Sequence, residues 1–206
     1  MTTRTGLLQR LGAKSGRASF SDQSGQSIIE FAIILPLVLI LVLGVVEFSY
    51  ELLDLHVVTK LAREGSNLIS RDTDLVDAGA ALAGMSSKPV NFASGSKVIF
   101  SVIKTGVTSG TSNFNKQILY QRYELGTGSS TSLVTISGSG TFPAPDYQAV
   151  NADGNTGLQV TGLPASLVGS GGMIYITEIY TKHTLITPWD RFGFKLPETL
   201  YSIAYF

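Results

Sequence analysis

The feature that most constrains this chain is an uninterrupted apolar run close to its N-terminus. Residues 28–46 read IIEFAIILPLVLILVLGVV, nineteen residues in which Glu30 is the only charged one. A helix rises ~1.5 Å per residue, so this run nearly spans the ~30 Å hydrocarbon core of a bilayer. A cleaved secretory signal would be shorter and would end at a small-x-small site, whereas Glu47 and further helix-compatible sequence follow here. The run therefore predicts one retained transmembrane helix over residues 26–46.

The charges on either side of the run predict its orientation. Of the 15 Lys and Arg residues four lie before residue 26, and of the 15 Asp and Glu residues only Asp22 does. The positive-inside rule then places the N-terminus in the cytoplasm and the C-terminal part on the exported side. Because the chain beyond residue 25 is slightly acidic, it has no basic surface for nucleic acid, and a nucleic-acid partner is not expected.

The helix is predicted to continue beyond the membrane. At ~100° per residue the apolar residues that follow the run fall on one face: Leu55, Val57, Val58, Leu61, Ala62, Gly65, Leu68 and Ile69. We expect one helix from Gln26 to near Ser70, of which residues 47–70 are an amphipathic continuation. Its apolar face requires a partner within the same chain.

An acidic row marks the start of this continuation. Glu47, Glu51 and Asp54 follow one another at i, i+4 and i+7 in line with the apolar face. Two interpretations stay open: a solvated collar, or a docking row for basic groups of neighbouring copies. Arg63 and Glu64, on the polar side of the helix, are further candidate docking residues.

The remaining residues, 71–206, predict an exported β-rich domain. A short Ala-rich helix is expected within residues 72–85, and residues 143–172 show no clear period and are expected to form a surface loop. Segments rich in β-branched and aromatic residues indicate antiparallel strands at 97–105, 117–125, 132–137, 173–187 and 199–206. A sheet with one apolar face and a helix with one apolar stripe bury each other. The predicted fold class is α+β, a long N-terminal helix packed on an antiparallel sheet.

The polar residues do not indicate a catalytic or metal site. The chain has no Cys and two His. His56 and His183 have no acidic or histidine neighbour at ligand spacing in the sequence. We therefore expect no metal, no cofactor and no enzymatic activity.

Glu30 is the most informative single residue. A carboxylate within an apolar segment costs ~2.5 kcal/mol or more on insertion scales, so it requires a cation. The run contains no Lys or Arg. Cleavage after Gly25 would create an amine on Gln26, and this amine could pair with Glu30 of an adjacent copy.

These residues resemble a known family. The segment from Gly25 to about Ile69 resembles the TadE-like pseudopilins of the Tad (tight adherence, Flp) type IV pilus system. The resemblance is carried by Gly25-Gln26-Ser27, Glu30-Phe31-Ala32, Leu35-Pro36, Gly44, Glu47-Phe48 and Leu61-Ala62-Arg63-Glu64-Gly65-Ser66. It implies a type IV pilin-like fold and a class III signal, in which Gly25, Gln26, Glu30 and Phe31 direct cleavage and assembly.

The resemblance also implies partners and a location. A prepilin peptidase would remove residues 1–25 on the cytoplasmic face of the bacterial inner membrane, and the new amine is a site for methylation. The mature chain would join other pilin and pseudopilin subunits, with the assembly platform, as a minor subunit that helps initiate or position an adhesive pilus. The alternative is a single-pass membrane-anchored exported module for adhesion or ligand binding.

Overall fold

The computed structural model describes residues 23–164, 167–187, 191, 193 and 198–206. Most of the predicted leader, residues 1–22, lies outside the described residues. By their internal contacts the residues form two compact units, Met1–Gly44 and Val45–Phe206. The two units are described separately below.

The first unit contains the N-terminal part of a long helix, α1, which runs over Gln23–Ser70 and continues through Pro36. Its most apolar 18-residue window has a mean hydropathy of 3.0, and none of that window is buried. Within the described part of the chain, α1 is the one helix long and apolar enough to cross a membrane. The prediction of a single continuous helix to near Ser70 is confirmed.

The second unit combines the outer part of α1 with a short helix and two sheets. The helix α2 covers Leu75–Met85, and the side chain of Asp74 caps it by accepting the Val76 N–H at 2.8 Å. The strands are β1 Lys97–Thr105, β2 Gln117–Gly126, β3 Thr135–Ile136, β4 Val160–Thr161, β5 Met173–Lys182 and β6 Thr199–Tyr205. Four of them form an antiparallel sheet in the order β2-β1-β5-β6, and β3 pairs with β4 in a small second sheet.

Four of the five predicted strands are confirmed in the main sheet, whereas the predicted strand at 132–137 lies outside it. The segment 132–137 contributes only the two residues of β3. The segment 173–187 leaves the sheet after Lys182. Further along, the backbone N–H groups of Ile186 and Thr187 donate to the carboxylate of Glu47 on α1.

One face of the main sheet packs against the two helices. Val58, Leu61, Ala62 and Ile69 of α1 are buried here, which confirms most of the predicted apolar stripe. Leu55 is the exception, with 38% of its surface exposed. The sheet supplies Val98, Phe100, Val102, Ile179, Leu200 and Ala204 to this core.

The opposite face of the main sheet is buried as well. Because successive strand residues point to opposite faces, Ile103, Leu119 and Ile176 form a second apolar surface there. Residues of the irregular stretch cover it, among them Val160 and Val168. The described part of residues 143–172 is mostly exposed, as expected of a surface loop, but it also contains β4 and covers the apolar second face of the sheet.

Candidate functional site

The predicted processing residues lie on an exposed part of α1. Gln26, Glu30 and Phe31 are all exposed, and a side chain added at Gly25 would meet no atom within 4 Å. Glu30 lies one helical turn after Gln26, so the Gln26 Nε2 donates a hydrogen bond to Glu30 Oε1 at 2.9 Å. The structure thus places the residue that would become the new terminus beside the carboxylate and leaves both accessible.

A second cluster lies further along α1, where the acidic row begins. Glu47 and Asp54 are seven residues apart, and two helical turns place them on one face. The chain leaving β5 brings His183 between them. His183 Nδ1 lies 2.6 Å from Asp54 Oδ2, and His183 Nε2 lies 3.1 Å from Glu47 Oε1. We call Glu47, Asp54, His183, Ile186 and Thr187 the His183 cluster.

The segment after β5 surrounds the carboxylate of Glu47 with donors. Ile186 N donates to Glu47 Oε1 at 3.1 Å. Thr187 donates to Glu47 Oε2 through its backbone N at 2.9 Å and its hydroxyl at 2.5 Å. Only 3% of the Glu47 surface is exposed. Hydrogen bonds of this kind compensate a buried charge, which would otherwise be strongly unfavourable.

The surroundings shift the acidities of both groups. Burial by itself would raise the pKa of Glu47, but the hydrogen bonds from Thr187, Ile186 and His183 outweigh it and lower that pKa below its usual value. Burial would lower the pKa of His183, but the bonds to Asp54 and Glu47 outweigh it and raise that pKa. Glu47 therefore stays ionised and His183 favours its protonated form.

The expectation that His183 has no acidic partner is wrong. Its two partners are 129 and 136 residues away in the chain, so no local spacing in the sequence could reveal them. The solvated collar is likewise wrong for Glu47, which is buried. A docking role for the acidic row stays a prediction, and the members with accessible surface are Glu51 and Asp54. Arg63 is exposed and Glu64 half-buried, as candidate docking residues on the polar side of α1.

A third polar group holds a loop on the second face of the sheet. Glu178 of β5 is fully buried and accepts hydrogen bonds from the hydroxyl of Ser132, from Leu133 N at 2.8 Å and from the Tyr180 hydroxyl at 3.1 Å. Arg122 of β2 donates to Val134 O at 2.7 Å in the same region. The contacts with Ser132, Leu133 and Val134 join strands to the segment before β3, whereas the Tyr180 bond lies within β5, and together they indicate a structural role.

The described residues contain no group of three or more His, Cys, Asp or Glu arranged to hold a metal ion. In the His183 cluster the two ring nitrogens each contact a carboxylate oxygen. The cluster places the imidazole of His183 between the carboxylates of Asp54 and Glu47. The backbone N–H groups of Ile186 and Thr187 donate to the Glu47 carboxylate.

A long, exposed, apolar N-terminal helix that continues into a domain built on an antiparallel sheet defines an α+β protein of the pilin-like class. Residues 25–67 match the protein family described as TadE-like protein, which confirms the resemblance drawn from the sequence. The match covers part of α1 only, and it suggests a pilin-like protein associated with Tad pili. No curated protein and no solved structure matches the chain.

Proposed function

We propose that this protein is a minor pilin, or pseudopilin, that helps to initiate or assemble an adhesive Tad (Flp) pilus. The observation that carries the proposal is Glu30, an exposed carboxylate on an apolar helix, one turn from Gln26 and within the TadE-like segment. Before assembly, a prepilin peptidase removes residues 1–25 at the cytoplasmic face of the bacterial inner membrane. The domain after the membrane helix lies on the periplasmic side, and it reaches the exterior when the subunit enters a pilus.

The physical basis is the cost of a carboxylate in hydrocarbon. The Gln26 amide that contacts Glu30 is neutral, so it offsets only part of the ~2.5 kcal/mol or more that burial of the charge requires. Cleavage after Gly25 supplies the missing cation as the amine of Gln26. In the assembled pilus, this amine of one copy pairs with Glu30 of its neighbour, and the exposed apolar surface of residues 28–46 packs against the helices of other subunits.

The first test is the mature N-terminus. The full chain, produced together with a prepilin peptidase, is expected to begin at Gln26 when its intact mass is measured by mass spectrometry. Gly25→Ala should leave the helix unchanged, because an added Cβ would meet no atom within 4 Å. A change in cleavage of this variant therefore reports on recognition by the peptidase alone. An uncut wild-type chain, or one that begins elsewhere, contradicts the proposal.

The second test concerns Glu30 after cleavage. Glu30→Gln keeps the shape of the side chain and removes its charge, so we expect a processed protein that stays in the membrane fraction and is almost absent from sheared pili. Glu30→Asp, which keeps the charge on a shorter side chain, is the matched control and should retain part of the assembly. Normal incorporation of the Glu30→Gln protein would favour the alternative, a membrane-anchored module for adhesion or ligand binding.

A further inference from the structure

The His183 cluster is built for an imidazole that carries two protons. A carboxylate oxygen only accepts hydrogen bonds when ionised, and neutral imidazole has a single N–H donor. Both ring nitrogens of His183 contact carboxylate oxygens, at 2.6 Å from Asp54 and 3.1 Å from Glu47. If His183 were neutral, one nitrogen lone pair would face a carboxylate oxygen. The geometry therefore fits the imidazolium and disfavours the neutral ring.

We propose that the His183 cluster is a proton-dependent contact, which fixes the segment 183–187 to α1 while His183 is doubly protonated and releases it when His183 loses a proton. The proposal concerns the response of the exported domain to pH and goes beyond the role in pilus assembly. It depends on contacts within one chain, so it stands or falls independently of the proposed function.

Among the described residues, the charges that face His183 come from two elements. From α1 they are Glu47 and Asp54, with Glu51 on the turn between them and half-buried. From the segment itself, Lys182 precedes the ring and is exposed, and Glu198 contributes its backbone carbonyl to His183 N at 2.7 Å. One imidazolium thus faces two carboxylates in direct contact. Loss of its proton leaves two buried or half-buried anions without a cation between them, which is strongly unfavourable.

The direction of the effect follows from the shifted acidities. The pKa of His183 is raised above its usual value of 6.5, so the stabilisation is complete below 6.5 and is lost as pH rises through the raised pKa. The pKa of Glu47 is lowered below its usual value of 4.5, so its contribution is present above 4.5 and is lost as pH falls through the lowered pKa. The segment is therefore attached at pH values between the lowered pKa of Glu47 and the raised pKa of His183. Loss of the His183 proton sets the upper of these two limits.

Water can reach the cluster when the contact opens. A cavity of about 520 Å³ lies along the same segment and is lined by Lys182, His183, Thr184, Leu185, Ile186, Thr187 and Glu198.

The test is amide hydrogen exchange of the full chain in detergent micelles, followed by NMR from about pH 6 to about pH 9 and corrected for intrinsic exchange rates. The amides of Ile186 and Thr187 donate to Glu47, so their protection reports attachment of the segment. We expect their protection to fall at least about tenfold over this range, while that of the β1 amides stays constant. A constant protection of Ile186 and Thr187 overturns the proposal.

Two variants assign the effect to His183. In His183→Gln the protection of both amides should already be low at neutral pH and should no longer change with pH. His56→Gln is the control. It removes the only other histidine, which is exposed on α1, and it should behave as the wild type. If His183→Gln fails to fold, the imidazole titration of the wild-type protein decides: a His183 that titrates at or below 6.5 contradicts the proposal.

Discussion

At the scale of single residues, Gly65 lies at a close approach between α1 and the sheet. A Cβ at this position would lie 2.7 Å from Thr177 Cγ2 and 2.9 Å from Leu82 Cδ1. Thr177 is β-branched and fully buried, so it has little freedom to move away. The position therefore tolerates no side chain even though it is within a helix, where glycine is otherwise unfavourable.

We expect Gly65→Ala to destabilise the protein by about 1–2 kcal/mol. Alanine gains about 1 kcal/mol in helix propensity, but overpacking of a dense core typically costs about 1–3 kcal/mol. The free energy of unfolding of the domain, measured by urea titration with circular dichroism, checks this balance. Gly84→Ala in α2 is the matched control, because its Cβ meets nothing within 4 Å, and it should stabilise the protein by up to about 1 kcal/mol. A stabilised Gly65→Ala protein would show that the helix can shift away from the sheet.

At the scale of elements, the sequence predicted the helices and strands that follow from local residue patterns. It did not predict features that depend on side-chain contacts between residues far apart in the chain. The apolar stripe of α1 and the β-branched and aromatic residues of β1 and β2 are local features, and the helix and the strands that they predict are confirmed. After β5 the chain contacts Glu47, 139 residues from Ile186, and no local pattern carries that information. The cover of the second sheet face was missed because its apolar residues are scattered through an irregular stretch.

The processing residues are the part of the candidate site that lies within one short segment of the sequence, and their role in cleavage and assembly stays a prediction. Gly25, Gln26 and Glu30 lie within a few residues of one another, so a helix alone brings them together. The His183 cluster depends on where β5 delivers the following segment. The sequence shows Glu47 and Asp54 as members of an acidic row, but it does not show that His183 contacts them.

Within the sheet, we expect Glu178 to anchor the segment before β3. Glu178→Gln keeps the size of the side chain but removes the charge that accepts the bonds from Ser132 and Leu133. Because a buried bond to a charged group is lost or weakened, the free energy of unfolding should fall by about 1–3 kcal/mol. Glu124→Gln on β2 removes an ion pair with Lys97 that is exposed on the Glu124 side, and it should change the free energy of unfolding by less than about 1 kcal/mol.

A spectroscopic measurement separates this effect from a general loss of packing. Burial, followed by the charge of Glu178, raises the pKa of Tyr180 and of Tyr201 well above the usual tyrosine value. Ultraviolet titration of the folded Glu178→Gln protein should therefore show these phenols ionising at lower pH than in the wild type. Unchanged phenol titration would mean that Glu178 does not carry its charge in the folded state.

At the scale of the whole molecule, the division into two units places the boundary within α1. The second unit starts at Val45, and the apolar window before it contributes no buried surface. The outer part of α1, by contrast, supplies Val58, Leu61 and Ile69 to the core of the second unit. The continuation of the apolar helix is thus also a structural element of the second unit, and we expect that unit to depend on it for its fold.

This dependence predicts opposite behaviour for two fragments of the chain. A fragment of residues 45–206 should fold without detergent, because it keeps the whole of the core on the helix side of the sheet. A fragment of residues 71–206 should not fold, since truncating each buried Leu or Ile side chain costs about 2–5 kcal/mol and a domain is stable by only about 5–15 kcal/mol. Dispersion of the amide resonances in a two-dimensional NMR spectrum distinguishes a folded fragment from an unfolded one. Dispersed resonances from the fragment of residues 71–206 would contradict this prediction. They would mean that α2 and the sheet fold without the contacts from α1.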